Sequence, residues 1–346
     1  MTATRDPVLA PHTIRLLFVG GDLRIGGAES GLIFMLETAS PPDFEVTLFL
    51  LRERGPFRSR VPPHVRVVPF SKGDARLWPR FRALLAQVWR LARRQDAVIA
   101  SQEGTPTNAA VLGARLAGKP AVGSIRTPWT AILPELSRWH RPATRIRYPW
   151  ANSLIMASRG VEEDMGRFLG AYCPPMSVIP PSRDMTGVRE ASQEAPPELA
   201  GSPFETPAFI YVGRLEAAKG LDRLLGAFAA ACAGGMDAHL IISGEGRLRE
   251  SLEAMARQRG IGHRVFFIGP QENPYPLMSR SRALVSTSHY EGGPGGALEA
   301  LALALPVVAF NCSPDLSDLL QDGESGALID DGDERVLAPY TPPLCR

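Results

Sequence analysis

No stretch of this chain stays apolar for the roughly 18 residues that a bilayer-spanning helix needs, which excludes a helical membrane span. Cysteine is scarce. The four present (Cys173, Cys232, Cys312, Cys345) form no Cys-x-x-Cys pair and no metal-ligand spacing. That pattern speaks against a disulfide framework and fits a reducing compartment. The opening MTATRDPVLAPHTIRLLFVGG lacks the apolar core of a secretory signal, since Ile14–Val19 is only strand-length and is interrupted by Arg15. The expectation is a cytoplasmic protein. Its basic residues come without a nucleic-acid recognition motif, so nucleic acid is not an expected partner.

What the chain does have is alternation. Short β-branched runs, IRLLFVG, EVTLFLL, VRVVPF, AVIAS, PAVGSIR and SLIMAS, recur in the first half, and AFIYVG, AHLIISG, RVFFIG, ALVSTS and PVVAF in the second. Amphipathic segments such as GLDRLLGAFAAACA and RLRESLEAMARQRG fill the gaps, so the fold class is α/β with parallel sheets covered on both faces. A length of 346 residues suggests two domains. Residues 183–206, rich in Pro, Glu, Ser and Ala without apolar period, read as a linker between domains at 1–182 and 207–346. Charge divides the same way. Residues 1–170 carry 24 Lys+Arg against 14 Asp+Glu, and residues 171–346 carry 14 against 22, within a net charge of +2. A basic half joined to an acidic half implies different partners, or simple mutual attraction.

Ligands of open parallel sheets sit beyond the carboxyl ends of the strands, and glycine-rich turns follow strands at FVGGDLRIGGAES, YVGRLEAAKG, ISGEGR and YEGGPGG. The last is the most informative. Glu291 and Glu299 are separated by seven residues, five of them glycine or proline, which cannot sustain a helix. Glu291 therefore belongs to the loop, and a helix starting near Gly296 carries Glu299 in its first turn. Such a helix start offers the N–H groups of Gly295, Gly296 and Ala297 to an anion, with a carboxylate on either side for hydroxyl-rich groups. Arg214 and Lys219, between a strand and the next helix, can add positive charge to the same crevice. Read without that context, Glu299 is a capping acid, Glu291 a solvated loop residue, and the two cations ordinary surface charges.

In this order, VGRLEAAKGLDRLLGAF, IISGEGRLRESLEAMA, RVFFIGP and STSHYEGGPGGALEALALALPVVAFN resemble the second domain of retaining glycosyltransferases of family 4. LFVGGDLRIGGAESGLIFML resembles that family's first glycine loop, and SVIPPSRD its hinge-side signature. The resemblance implies the GT-B fold, two Rossmann-like doubly wound domains facing across a cleft. It implies a metal-independent, retaining hexosyltransferase of glycan or polysaccharide assembly. The donor would be a nucleotide diphosphate sugar, UDP-linked by preference, the acceptor a glycan or a lipid-linked sugar, and no cofactor is expected. By position, Arg214 and Lys219 would neutralise the donor diphosphate. Glu291 would contact the transferred sugar, and Glu299 the ribose. Gly292, Gly295, Gly296 and Ala297 would line the phosphates. Gly26 and Gly27 would approach from the first domain, and Gly269 and Pro270 would meet the base.

Four departures qualify the resemblance. Many relatives have a histidine after the strand corresponding to AVIAS, where this chain reads SQEGTPTN, leaving Gln102, Glu103 or Thr105 to make contacts there. Pro181 replaces a usual asparagine, and Ala304 a usual glycine whose extra methyl would crowd packing. The end, GALIDDGDERVLAPYTPPLCR, is shorter than the family's usual C-terminal helices, one of which crosses back to the first domain. A noncatalytic nucleotide-sugar-binding or scaffold protein is accordingly the alternative reading. ARLWPRFRALLAQVWRLARR and SRWHRPATRIRYPW mix arginines with aromatics, a pattern suited either to helices covering a sheet or to the anionic inner face of a membrane. Flotation with anionic vesicles at low salt tests the second possibility: co-flotation that salt reverses is its expected sign, and protein left at the bottom removes it.

Overall fold

The β-branched runs become strands because alternate residues can be buried on opposite faces. The structure is a computed structural model that describes residues 13–72, 78–135, 140–181, 184–197, 204, 206–320 and 324–330. The first half supplies β1 Ile14–Gly20, β2 Phe44–Leu50, β3 Arg66–Pro69, β4 Ala97–Ala100, β5 Ala121–Ile125, β6 Ser153–Met156 and β7 Met176–Val178. The second supplies β8 Ala208–Val212, β9 His239–Ser243, β10 Val265–Gly269, β11 Ala283–Ser286, β12 Val307–Phe310 and β13 Gly326–Ile329. They form two separate sheets, ordered β3-β2-β1-β4-β5-β6-β7 and β10-β9-β8-β11-β12-β13. Every pairing is parallel. In each sheet the chain runs outward from a central strand, then reverses, which places the topological switch point beside β1 and β8.

Both faces of each sheet are core. Along β1, Leu17 and Val19 join one apolar cluster while Leu16 and Phe18 join the other. Along β8, Phe209 and Tyr211 divide from Ala208 and Ile210 in the same way. Full burial of a side chain such as Leu17 contributes about 1.5–3 kcal/mol. Arg15, the charge that interrupts the first strand, sits near its start and forms an ion pair with Asp96 at 3.0 Å. The backbone N–H of Arg15 also donates to Asp96, and together these bonds hold the Asp96 carboxyl down at about 2.

Two strands go beyond the sequence expectation. β7 and β13 are the short edge strands MSV and GALI. The segment expected to be a plain linker also contains a helix, Met185–Ala191, whose N-terminus is capped by Asp184 through the Gly187 N–H. It packs against the helix Gly295–Ala302, and Arg189 Nε donates to the Ala302 carbonyl at 2.8 Å. This contact explains how the nearly all-apolar ALEALALAL run is covered.

The helix Gly295–Ala302 is shorter than its apolar run, and its end is informative. Ala304 N–H donates to the Leu301 carbonyl and Leu305 N–H to the Ala300 carbonyl, the paired bonds of a Schellman stop. The residue at the turn has φ of 54°, which L residues other than glycine adopt only at a cost. Gly118, at φ 65°, ends the helix Thr105–Ala117 the same way without that cost. The expected crowding by the Ala304 methyl is not found, because the residue is exposed. The penalty is in the backbone.

The arginine-rich segments cover the first sheet. In the helix Phe81–Ala92, Leu84, Val88 and Ala92 face the core. Arg93 lies over Trp89, and Arg147 over Phe81. Tyr148 is wholly buried, while Ile146 is 59% exposed. Ala304→Gly is expected to raise unfolding free energy by about 0.5–1 kcal/mol in a denaturant titration, the left-handed penalty less glycine's chain entropy. An unchanged or lower midpoint would contradict the strained turn.

Candidate functional site

At the carboxyl edge of the second sheet, three loops are pressed together. After β8, Gly213 N–H donates to Ser243 O and Leu215 N–H to Glu245 O, joining this loop to the one after β9. A Cβ on Gly244 would overlap the Gly213 carbonyl. The β8 loop then makes a 3-10 turn, Ala217–Lys219, and enters the helix Leu221–Ala233 through Gly220 in the left-handed conformation. A Cβ on Gly220 would overlap the Thr287 carbonyl, so the loop after β11 lies directly against it. Thr287 Oγ1 donates to Gly220 O at 2.8 Å, and His289 N–H to Ala218 O at 2.9 Å. Arg223 closes the arrangement from below: it donates to the Ser288 carbonyl at 3.1 Å, and its guanidinium covers Phe310.

This contact brings the expected charges together. Lys219 Nζ lies 2.7 Å from Glu291 Oε1, with both side chains largely buried, and Ser288 Oγ donates to the same oxygen at 2.6 Å. Arg214 is near but not part of the pair. Its side chain is 57% exposed and meets Glu216 at 3.2 Å, while its carbonyl accepts from Tyr211 OH at 2.9 Å. Tyr211 feels both charges: burial, then Glu291, push its hydroxyl up, and Arg214 opposes them.

Two expectations about the helix start change. The helix runs from Gly295, so Glu299 opens its second turn rather than sitting in the first. The Gly295 N–H donates back to the Gly293 carbonyl at 2.8 Å, which leaves Gly296 and Ala297 as the first-turn donors. Gly292 has a steric task here, since a Cβ on it would overlap the Arg126 carbonyl of the first half. Gly293 lies against Pro181, so the position that departs from the usual asparagine touches this loop. Gly269 ends β10 at φ 77°, with Pro270 exposed beside it, and its carbonyl accepts from Gly244 N–H.

The opposing wall comes from the first sheet. Gly26 precedes the helix Gly27–Thr38, and a side chain on Gly26 would displace the Glu29 carboxylate. Glu29 feels Arg214 across the cleft. Of the residues that stand where relatives have histidine, Glu103 accepts from the Arg126 N–H at 3.0 Å, and Gln102 covers Gly21. Thr105 starts the helix Thr105–Ala117, and the loop before it is fixed by Gly104 N–H donating to Tyr148 OH. Among the described residues no three His, Cys, Asp or Glu are grouped as metal ligands. The Asp331–Gly332–Asp333 tripeptide and the chain's last residues lie outside the described residues.

Sequence reasoning did not single out Ser288, Thr287, Arg223 and Arg126. Ser288 and Thr287 stand just before Glu291 in STSHYE, a signal that proximity alone could have supplied. Arg223 and Arg126 gave none, because their roles depend on contacts across more than sixty residues of chain or between the two sheets.

Comparison with known proteins decides the family. Residues 25–186 match the family described as Glycosyltransferase Family 4, and residues 197–340 match Glycosyl transferases group 1. The chain belongs to the family-4 glycosyltransferases. A lipopolysaccharide 1,6-galactosyltransferase of Escherichia coli K12 is 33% identical over 135 residues, 37% of this chain and 37% of that protein. An N-acetylgalactosaminyltransferase of Campylobacter jejuni that acts on a diphospho-undecaprenol-linked sugar is 26% identical over 190 residues, 55% of this chain and 50% of that protein. The matches thus span half or less of these relatives' own lengths. The structure of Anabaena HepE with UDP and glucose superposes with a TM-score of 0.77 over 94% of this chain and 88% of that one, at 19% identity. WaaG, a glycosyltransferase of lipopolysaccharide biosynthesis, superposes at 0.72 over 94% and 89%, with 16% identity. The family-4 chain therefore has the GT-B fold, with its two parallel sheets facing one cleft. No helix among its described residues is long and apolar enough to cross a membrane.

Burial raises the Glu29 carboxyl above the ordinary glutamate range, so its charged form penalises the fold at neutral pH. That penalty disappears as pH falls through the raised value, because the folded chain then takes up the proton more readily than the unfolded one. Glu29→Gln should therefore raise the melting temperature at pH 7, with the gain shrinking toward pH 4. A gain independent of pH, or a loss at pH 7, would contradict this assignment.

Proposed function

We propose that this family-4 protein is a retaining glycosyltransferase that moves a hexose from a nucleoside diphosphate sugar, UDP-linked by preference, to a hydroxyl of a glycan or lipid-linked acceptor. The observation that carries this reading is the Lys219–Glu291 pair at 2.7 Å, set beside the start of the helix Gly295–Ala302 at the carboxyl edge of the second sheet. UDP and glucose bound to the similarly folded HepE, and the lipopolysaccharide and undecaprenol chemistry in the relatives' names, support donor and acceptor classes of this kind.

The chemistry follows from what each group can do. A departing nucleoside diphosphate gains negative charge as the bond from its terminal phosphate to the sugar C1 breaks. Lys219, Arg214 and the N–H groups of Gly296 and Ala297 stabilise that charge, each charge-assisted bond contributing about 1.5–3 kcal/mol. No metal is needed for this role. Lys219 and Ser288 both bond to Glu291 Oε1, which leaves Oε2 to accept a hydroxyl of the transferred sugar and to balance positive charge on its ring. Glu299, one turn further along, takes the ribose hydroxyls. The acceptor oxygen forms its bond to C1 on the face the phosphate leaves, and its proton passes to the leaving phosphate oxygen. The anomeric configuration is kept. Gly26 and Gly27 let the first sheet's helix approach the phosphates closely from the opposite wall. Synthesis of a cell-surface polysaccharide, on the inner face of the membrane, is the setting this reaction fits.

Calorimetric titration with UDP, GDP and ADP tests the donor site. One nucleotide should bind, and Lys219→Ala should weaken it by about tenfold or more, the loss of one charge-assisted contact. Glu291→Ala should keep most nucleotide affinity while abolishing donor-dependent nucleotide release with an acceptor extract. Binding without release by the unmodified chain would favour the noncatalytic reading, and no binding to folded protein would overturn the donor site.

A further inference from the structure

The carboxyl edge of the first sheet holds a group of charges that the donor chemistry does not use. The loops after β1 and β2 are laced together: Leu51 and Arg52 donate their N–H groups to Gly20 and Gly21, and Leu23 donates to Arg54 O. A Cβ on Gly55 would overlap the Leu23 backbone, so the two loops pack backbone to backbone. This lacing gathers Arg24, Arg52 and Arg54 around Asp22, which is only 6% exposed. Asp22 is already committed, for Arg24 Nε lies 3.0 Å and Arg54 Nη2 2.9 Å from the same Oδ2. Among the described residues Arg52 has no such partner. Its Nε is buried without a hydrogen bond, and burial followed by the like charge of Arg54 lowers its proton affinity. Among the described residues, Glu53 pairs with Arg58 at 3.6 Å, and Glu29 feels the charges of both Arg214 and Arg24.

A half-buried guanidinium held among like charges favours an anion on its accessible side. The anion must serve several forks at once, from one side. A carboxylate offers two oxygens in a plane, as Asp22 already does, whereas a phosphate offers more oxygens in a tetrahedral array and up to two charges. The place is also right, because Arg24 and Asp22 act on Glu29, which in turn feels Arg214 on the donor wall. We propose that Arg52, with Arg24 and Arg54, forms a subsite for a phosphate group carried by the acceptor. This rests on the glycosyltransferase reading above and narrows it, making the acceptor a phosphorylated or lipid-phosphate-linked sugar rather than a neutral glycan.

The test keeps the two sites apart by using the Lys219→Ala chain, whose donor site is weakened. This full-length chain is titrated with inorganic phosphate and with geranyl phosphate. At least one probe should bind, and adding Arg52→Gln should weaken it by about tenfold or more, as expected for loss of a charged hydrogen-bond donor. Arg24 is 60% exposed and Arg54 still pairs with Asp22 without it, so Arg24→Gln supplies a milder second variant, expected to weaken the same probe by about threefold or more. Tighter binding of geranyl phosphate than of inorganic phosphate identifies a lipid-borne group, and equal binding identifies recognition of the phosphate alone. Absence of binding by both probes, or binding that neither arginine substitution changes, overturns the subsite. Nucleotide titration of the chain with intact Lys219 is read separately. Its failure with phosphate binding preserved would count against the donor site and not against these arginines.

Discussion

Gly220 has no side chain, and the second lobe is organised around that fact. Its left-handed backbone lies where a Cβ would overlap the Thr287 carbonyl, so the loops after β8 and β11 touch backbone to backbone. Because they touch, Lys219 on one loop reaches Glu291 on the other, and Ser288 completes the bond to the same oxygen. Arg223 fixes the arrangement from the helix side by holding the carbonyl of Ser288. A largely buried ion pair of this kind is poor at stabilising a fold, because desolvation offsets much of its attraction. It is well suited to keeping a cation and a carboxylate poised a fixed distance apart.

The cleft is built from both sheets at their switch points. Gly292 and Gly293 allow the Glu291 loop to lie against Arg126 and Pro181 of the first half. The helix Met185–Ala191 ties the connection between the halves to the far end of the helix Gly295–Ala302 through Arg189. One short helix is thus held at its start by the cleft and at its end by the connector, which couples the position of its first-turn N–H groups to the approach of the two sheets. The charge asymmetry of the sequence has a structural counterpart. The first half's surplus of arginine includes the group around Asp22, directly beside the cleft.

Much of this was legible in the chain itself. Apolar alternation located eleven of the strands, and the glycine–proline segment between Glu291 and Glu299 forced a loop-to-helix transition at the right place. The edge strands β7 and β13 were not marked by the pattern, and the Met185–Ala191 helix escaped because a single buried residue, Val188, holds its face. Ala304 was recognised as standing in a glycine's place, but the reason was misjudged: the cost is a positive φ, which composition cannot show, and not a crowded methyl. The Lys219–Glu291 bond could be suspected from motif order, yet its length and the part of Ser288 needed coordinates. Arg126 and the arginines around Asp22 were invisible as a site because their meaning depends on which loops the sheets bring side by side.

The most direct test of the central claim is a crystal structure of this chain grown with UDP. The diphosphate should lie between Lys219 and the N–H groups of Gly296 and Ala297, with the ribose hydroxyls on Glu299 and Glu291 facing the place of the sugar. UDP bound away from Lys219 and the helix start, with the Lys219–Glu291 pair untouched by any phosphate, would contradict the account.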